Sequence, residues 1–523
     1  MLRLPTILSL LLIITQVLPA QIRPLDGSIL NYITIGFIVP EEPRSLDYTF
    51  EIASGSFNNP DSFSRHIIKT IQSKSNKIVE RVPSFGSQYT WRIVYSFKQS
   101  NKTISSLFHF ATASVPEVDT NLVRLKITTA AGAYKDAYVF LDDNKTLYDM
   151  SGNPVWFLPK LEGHAVTPRN MKISRQGTIT FVSDPPYEIN YDGEILWKPP
   201  AAATVSGDNS EHFHHQFTRL ANGHYMVLGE DSAYYNSKQP TAAAGNSESR
   251  KDAANEGQIA GKKIQFGNII EYDESGKVVW YWKSSDYFTK THPDYMIPPA
   301  DGTDLDVHKN SFHFDEKKQY VYISFKNINR ILKIKYPEGT VVNDYGGINK
   351  QGTTDNNLSL FCGQHSIKQT HDGNIMLFNN NNCHPGSLPT VEILEEPQTD
   401  KDTLKLLWEY ACASPCQSSY GFPAGGNVIE LTDRSIFVST AAPDSKVFIV
   451  NRNKEIIWSA LPQRWNDAEK KWNPIPEYRA SIIQNKEALE RLIWHEDANE
   501  LQAVREINSN AGEGNKEGTT GSQ

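Results

Sequence analysis

At 523 residues the chain can hold more than one domain and bury a large core. Its formal net charge of −8 is modest for that length and supplies no polybasic patch, so nucleic acid is not an expected partner. After the first twenty residues no segment offers about 18 uninterrupted apolar side chains, and no membrane span is expected.

Residues Met1 to Ala20 read MLRLPTILSLLLIITQVLPA. A basic residue, an apolar run from Ile7 to Ile14 and a small residue at Ala20 predict a secretory signal peptide over 1–20. The mature protein is then expected to be secreted or periplasmic. Four cysteines in an exported chain favour disulfides over free thiols. Cys362 and Cys383 flank the two strands of one hairpin and could meet across it, and Cys412 and Cys416 could close a small loop. Sequence alone does not choose among the connectivities, and buried thiols are the alternative.

Residues 21–129 read as a separate all-β unit. Tyr32–Val39, Tyr48–Ile52, Tyr89–Phe97 and Ser106–Ala111 are strand-like, with turn residues between them. The segment SQYTWRIVYSFKQSNKTISSLFHFATA resembles the last strands of a fibronectin-type β-sandwich, whose size this region matches. That face could also serve a homodimer. No catalytic group stands out there.

From about Ala137 the rhythm changes. A strand, a short turn and a strand ending in Trp recur as LYDMSGNPVWFLP, EINYDGEILWKPP, IIEYDESGKVVWYWK, VEILEEPQTDKDTLKLLWEY and VFIVNRNKEIIWSALP. These are outer hairpins with Trp156, Trp197, Trp280, Trp408 and Trp458 in register. Inner hairpins turn at Gln176-Gly177, Asn222-Gly223, Asp315-Glu316, Asp372-Gly373 and Asp433-Arg434. An inner pair plus an outer pair is one four-stranded blade. The outer hairpin around Asp149 lacks an upstream inner partner, and strands near Tyr478 to Ile483 can complete it. The expectation is a six-bladed β-propeller over 130–505, locked by both ends of its chain. Ala233–Gly261 reads as a long, partly disordered surface loop, Asn485–Arg505 as helical, and 506–523 as a disordered tail.

Counting back seven residues from each inner turn gives Arg169, His215, His308, His365 and Gly426. In a propeller such positions ring the central channel. One arginine and three histidines, with a glycine leaving room, suit an oxyanion, because histidines serve as nucleophile, acid, base or donor. Lys326 adds a fixed charge, and Asn310 could orient a ligand or a ring nitrogen.

The motifs HHQFTRLANGHYMVL, HKNSFHFDEKKQYVYISFKN and QHSIKQTHDGNIMLFNN, with YRASII near the C-terminus, resemble the bacterial arylsulfate sulfotransferase family. The resemblance implies an N-terminal sandwich, a six-bladed propeller and transfer of a sulfuryl group between phenols with no nucleotide sulfate donor and no metal or other cofactor. It implies His365 as the sulfated nucleophile, His308 and Asn310 as the HxN pair, and His215, with His214 as its one-residue alternative. Lys326 stands where the family usually has arginine; it keeps the charge but lacks the bidentate fork. The partners implied are a small-molecule aryl sulfate donor and a phenolic acceptor.

Other readings of the same residues are a non-catalytic propeller that binds a ligand or protein, and a metal-dependent hydrolase using the three histidines. Asp301, Asp304 and Asp306 read as a solvated turn rather than a calcium site. Phe213, Phe217, Phe325, Tyr420 and Phe422 read mainly as core, with a ring-binding pocket as the alternative.

Overall fold

The computed structural model describes residues 22–98, 101–130, 132–201, 204–207, 209–234, 261–291, 305–346, 360–384, 386–397, 404–412, 425–440 and 445–495. The readings of 1–20, of most of 233–261, of 506–523, and of Asp301, Asp304, Cys416, Tyr420 and Phe422 lie outside those residues. The chain is all-β with few helices. Among the described residues no helix is long and apolar enough to cross a membrane.

It divides into two compact units, Met1–Ala113 and Ser114–Gln523. The first holds a sheet in the order Ser28–Leu30, Phe108–Thr112, Gln88–Ser96, Asp47–Ser54, Ile67–Ser73, with Lys102–Ile104 beside Gln88–Ser96. Thr34–Ile38 and Lys77–Arg81 form a separate pair. Asp47–Ser54 buries alternate residues, as a strand with one covered face must. The covered faces of the two sheets meet where Phe37 packs edge-on against the fully buried Trp91, 5.2 Å between ring centroids.

The second unit begins at Ser114, earlier than the expected boundary after residue 129. Val123–Thr129, assigned above to the N-terminal unit, pairs antiparallel with Ile456–Asn466. Its hydrogen bonds therefore place it with the later chain.

In the described part of this unit six sheets follow one another, antiparallel except where Leu305–Asp306 runs parallel beside Lys263–Tyr272. The innermost strands of the second to sixth are Arg169–Ile173, Phe213–Arg219, Lys309–Asp315, His365–Gln369 and Asn427–Glu430. The innermost strand of the first is Ala480–Ile483, which pairs with Tyr138–Leu141 and so completes the hairpin that lacked a partner. Next to these, Ile179–Val182, Ile375–Asn379 and Ile436–Ser439 are buried along their whole length. Their continuous apolar runs suit strands covered on both faces.

The faces that cover them belong to neighbouring sheets. One apolar cluster joins the second and third sheets through Trp197 and Phe217, and another the third and fourth through Phe266 and Phe312. Tyr322 and Leu377 join the fourth and fifth, and Phe378 and Val438 the fifth and sixth. Phe437 and Trp458 of the sixth share a cluster with Val139 and Tyr148 of the first. Four of the five in-register tryptophans add one hydrogen bond each. Trp156 Nε1 donates to Tyr191 O (2.7 Å), Trp280 to Pro337 O (2.8 Å), Trp408 to Arg452 O (3.0 Å) and Trp458 to Met150 O (3.0 Å). Each donor bonds a carbonyl in the following sheet, and the last returns from sixth to first.

The innermost strands are stapled in the same cyclic order by polar side chains. Lys172 Nζ donates to Thr218 Oγ1, and Gln216 exchanges two bonds with the Phe312 backbone. Asn310 Nδ2 donates to Gln364 O, and Ser311 Oγ accepts from Ile367 N. Ser366 Oγ bonds Asn427 Oδ1, Asn427 Nδ2 donates to Ala480 O, and Ser481 Oγ to Met171 O. A buried polar group left unmade costs about 1–3 kcal/mol, so these links fix the spacing of the strands that carry the site.

The expected helix in 485–505 is present over Lys486–Trp494, capped by Asn485 Oδ1 accepting from Ala488 N at 2.9 Å; residues after 495 lie outside the described ones.

Candidate active site

The positions seven residues before each turn stand at equivalent places, at or beside the start of an innermost strand. Four of these strands carry a register shift there, between Arg169 and Lys172, Phe213 and Phe217, Lys309 and Ser311, and His365 and Lys368. Asn170, His215, His308 and Ser366 take positive φ of 57°, 65°, 52° and 55°. A non-glycine residue held in this region costs on the order of 1 kcal/mol or more. Bulges with such residues re-aim side chains, and here they turn the ring positions out of the ladder.

His365 is buried at 1% exposure. Its Nδ1 faces two acceptors, Asn380 Oδ1 at 2.6 Å and Gly363 O at 3.0 Å. Nδ1 therefore carries the proton, and Nε2 keeps its lone pair, which accepts from Gly425 N at 3.2 Å. Burial holds the ring's pKa well below the ordinary histidine value, helped by the charges of Arg479 and Lys326. The Cys362–Cys383 disulfide joins the segments that supply these acceptors, as the hairpin reading expected.

His215 lies 5.0 Å from His308, ring centroid to centroid, and its Nδ1 touches Nδ1 of His214. Burial keeps both His214 and His215 neutral at ordinary pH. His308 Nδ1 bonds Asp306 Oδ2 at 2.9 Å. Burial works to raise the Asp306 carboxyl, but the His308 hydrogen bond and charge outweigh it and hold the group below its usual value. Asp306, read above as part of a solvated turn, is thus the partner that orients His308. The backbone N of Lys326 donates to His308 O, and burial lowers the Lys326 ammonium's pKa. Arg169 pairs with Asp143 at 2.7 Å and lies 5.4 Å from the Tyr478 ring centroid.

Asn310 is fully buried, and its amide donates to Gln364 O, which ties it to the residue before His365. At Gly426 (φ 104°) a Cβ would run into the Phe378 ring, so the missing side chain makes room for Phe378. Phe217 and Phe325 are core, while Phe213 lines a cavity of about 400 Å³ with Arg169, His214, His215 and Tyr478. That volume is in the range of small-molecule sites.

Two residues of the YRASII segment enter the site without having been singled out. Tyr478 lies 5.7 Å from His215 and 6.2 Å from His365, between centroids. Burial raises its phenol pKa, and its hydroxyl is buried without a partner among the described residues. Arg479, 2% exposed, donates to His215 O at 3.0 Å and Asn310 O at 2.7 Å. The signal was available: a strand that closes the first sheet must bring its preceding residues to the ring. The neutral rings of His214, His215 and His365 thus stand among three cations, Arg169, Lys326 and Arg479, which make the site electropositive.

Comparison with solved structures finds distant likenesses, all at TM-scores under 0.5. A protein of unknown function from Bacteroides caccae has TM-score 0.37 at 12% identity, covering 69% of this chain and 99% of that one. A luciferin-regenerating enzyme has TM-score 0.34 at 8% identity, covering 68% of this chain and 95% of that one. The hydrazine synthase of Kuenenia stuttgartiensis has TM-score 0.33 at 9% identity, covering 67% of this chain and 97% of that one. No curated protein matches the sequence. The arylsulfotransferase (ASST) family model matches residues 96–399, more than half of the chain, and the protein belongs to that family.

Proposed function

We propose that the second unit is a six-bladed β-propeller preceded by a β-sandwich, and that it moves a sulfuryl group from a phenolic sulfate ester to a phenolic acceptor through a sulfohistidine at His365. The cyclic order of clusters, tryptophan bonds and inner staples supports the propeller; the Trp91–Phe37 contact supports the sandwich. The signal-peptide reading and the Cys362–Cys383 disulfide support an exported protein. The observation that carries the reaction is His365 itself, its Nδ1–H tied to Asn380 and Gly363 so that the unprotonated nitrogen is Nε2.

In the first half-reaction Nε2 gives up the hydrogen bond it accepts from Gly425 N and attacks sulfur with that lone pair. The S–Nε2 bond forms as the S–O(aryl) bond breaks, and the departing phenolate oxygen takes a proton from His308, whose ring Asp306 orients. Asn380 and Gly363 accept from a ring that gains positive character as sulfur bonds. Lys326 and Arg479 oppose the charge on the sulfuryl oxygens, in a site whose dipoles are already set. In the second half the acceptor phenol returns the proton to His308 and takes the sulfuryl group, restoring His365. Aryl rings fit the cavity beside Phe213 and Tyr478.

A metal-dependent hydrolase would need three ligand atoms drawn together. Among the described residues the group that meets that spacing is Cys362, Cys383 and His384, whose two sulfurs bond each other.

The test incubates the protein with an aryl sulfate and a second phenol. The expected result is phenol release that depends on the acceptor, ping-pong kinetics, and a mass gain of one SO3 group on His365 when the acceptor is withheld. His365→Asn should fold and lose turnover. Release that ignores the acceptor, or turnover that survives His365→Asn, overturns the reading.

A further inference from the structure

The three cations nearest the histidines do not exhaust the buried positive charge. We propose a second, non-catalytic oxyanion site farther along the innermost strands, built from Lys172, Lys368, Thr218 and His313, which takes a small inorganic oxyanion such as sulfate.

Register places these residues. Arg169 and Lys172 oppose Val182 and Thr180, two residues apart on the partner strand. His365 and Lys368 likewise oppose Phe378 and Met376. The bulge residue between them restores the phase, so each lysine shares a face with its ring residue one pleat further on. On the fourth sheet's strand Ser311, opposite Ser324, holds the place of the lysines, and His313, opposite Tyr322, lies on the same face one pleat beyond. Lys172 Nζ reaches across to Thr218 Oγ1 at 2.9 Å, so ammonium and hydroxyl already meet between the second and third sheets.

Among the described residues the lysines here are opposed by few carboxylates. Lys172 feels repulsion from Lys368 and Arg479 and attraction from Asp142. The Asp142 carboxyl is already committed, accepting from Asn170 N (2.5 Å) and Met171 N (2.9 Å). On Lys368 the charge that acts, after burial, is that of Arg479, and no carboxylate opposes it among the described residues. His313 feels Lys368 and Arg175 against Asp315, with Gln369 as hydrogen-bond partner. Replacing each ammonium's lost water in such a layer calls for an anion, and lysine point donors with a hydroxyl suit a tetrahedral oxyanion. Burial lowers both lysines' affinity for protons, Lys368 to about 8. An arriving anion reverses that and draws a proton in.

The proposal does not depend on sulfuryl transfer, and its test uses no aryl sulfate. Binding of inorganic sulfate to the purified chain is followed by calorimetry at pH 8, in two buffers of different ionisation enthalpy. Wild type and His365→Asn should both bind one sulfate at this site with net proton uptake. Lys368→Met should bind it at least tenfold more weakly while melting no lower than wild type in sulfate-free buffer. Affinity unchanged in Lys368→Met, binding lost in His365→Asn, or the absence of proton uptake would each overturn the second site.

Discussion

Asn380 offers a sharp test of how His365 is activated. Its Oδ1 lies 2.6 Å from Nδ1, closer than Gly363 O at 3.0 Å, and the residue is 3% exposed. Asn380→Ala removes the shorter bond and leaves the longer, so the tautomer persists but loses support as the ring becomes cationic. A hydrogen bond to a charged group contributes about 1.5–3 kcal/mol. With Gly363 O still present, the lower part of that range applies, and about 1.4 kcal/mol is tenfold in rate. The expected loss is about 10- to 30-fold in kcat, with KM for the aryl sulfate little changed, because the bond strengthens in the transition state. Asn380→Asp keeps an acceptor at the same place and should recover most of the rate. The measurement is steady-state transfer to a saturating phenol acceptor. A kcat for Asn380→Ala within about twofold of wild type, or Ala and Asp variants that behave alike, would refute the assignment of Nδ1 as the held, protonated nitrogen.

Two further outcomes test the frame and its pH response. Trp458→Phe leaves Met150 O without its donor in a fully buried place between sixth and first sheets, and should lose about 1–3 kcal/mol in urea denaturation; Trp280→Phe, whose bond to Pro337 O is exposed, should lose less. Equal losses would contradict a buried closure. His313 has its pKa pushed down to about 4, chiefly by burial, so in acid the unfolded chain binds a proton that the native state refuses. Its contribution therefore falls as pH drops from the unfolded value of about 6.5 towards 4, by up to about 3 kcal/mol. His313→Gln should lose that part of the acid sensitivity between pH 7 and 4.5. Variant and wild type losing stability in parallel would count against it.

Much of the repeat was legible because it is periodic. Turn residues at fixed offsets marked five inner hairpins, tryptophans marked the outer ones, and the count of seven found His215, His308 and His365 at matching places. Spacing also suggested the Cys362–Cys383 bond, since two residues flanking one hairpin are brought together by that hairpin alone. What counting could not supply was the use each side chain makes of its neighbours. Asn310 has the right offset for a ligand contact, yet its amide bonds Gln364 O; Gly426 has the right offset for an open place, yet Phe378 fills it. Asp306 looked like one carboxylate in an acidic turn until its oxygen was found on His308.

The sequence by itself determined the β class, the period and the phase of the histidines, because strand alternation and turn chemistry are local and survive reading along a line. Only the tertiary structure decided that Tyr478 and Arg479 stand among rings more than a hundred residues earlier in the chain. That meeting depends on the last strand completing the first sheet, and on burial, which leaves His365 neutral beside fixed cations; both arise from contacts between distant segments rather than from any neighbouring residue.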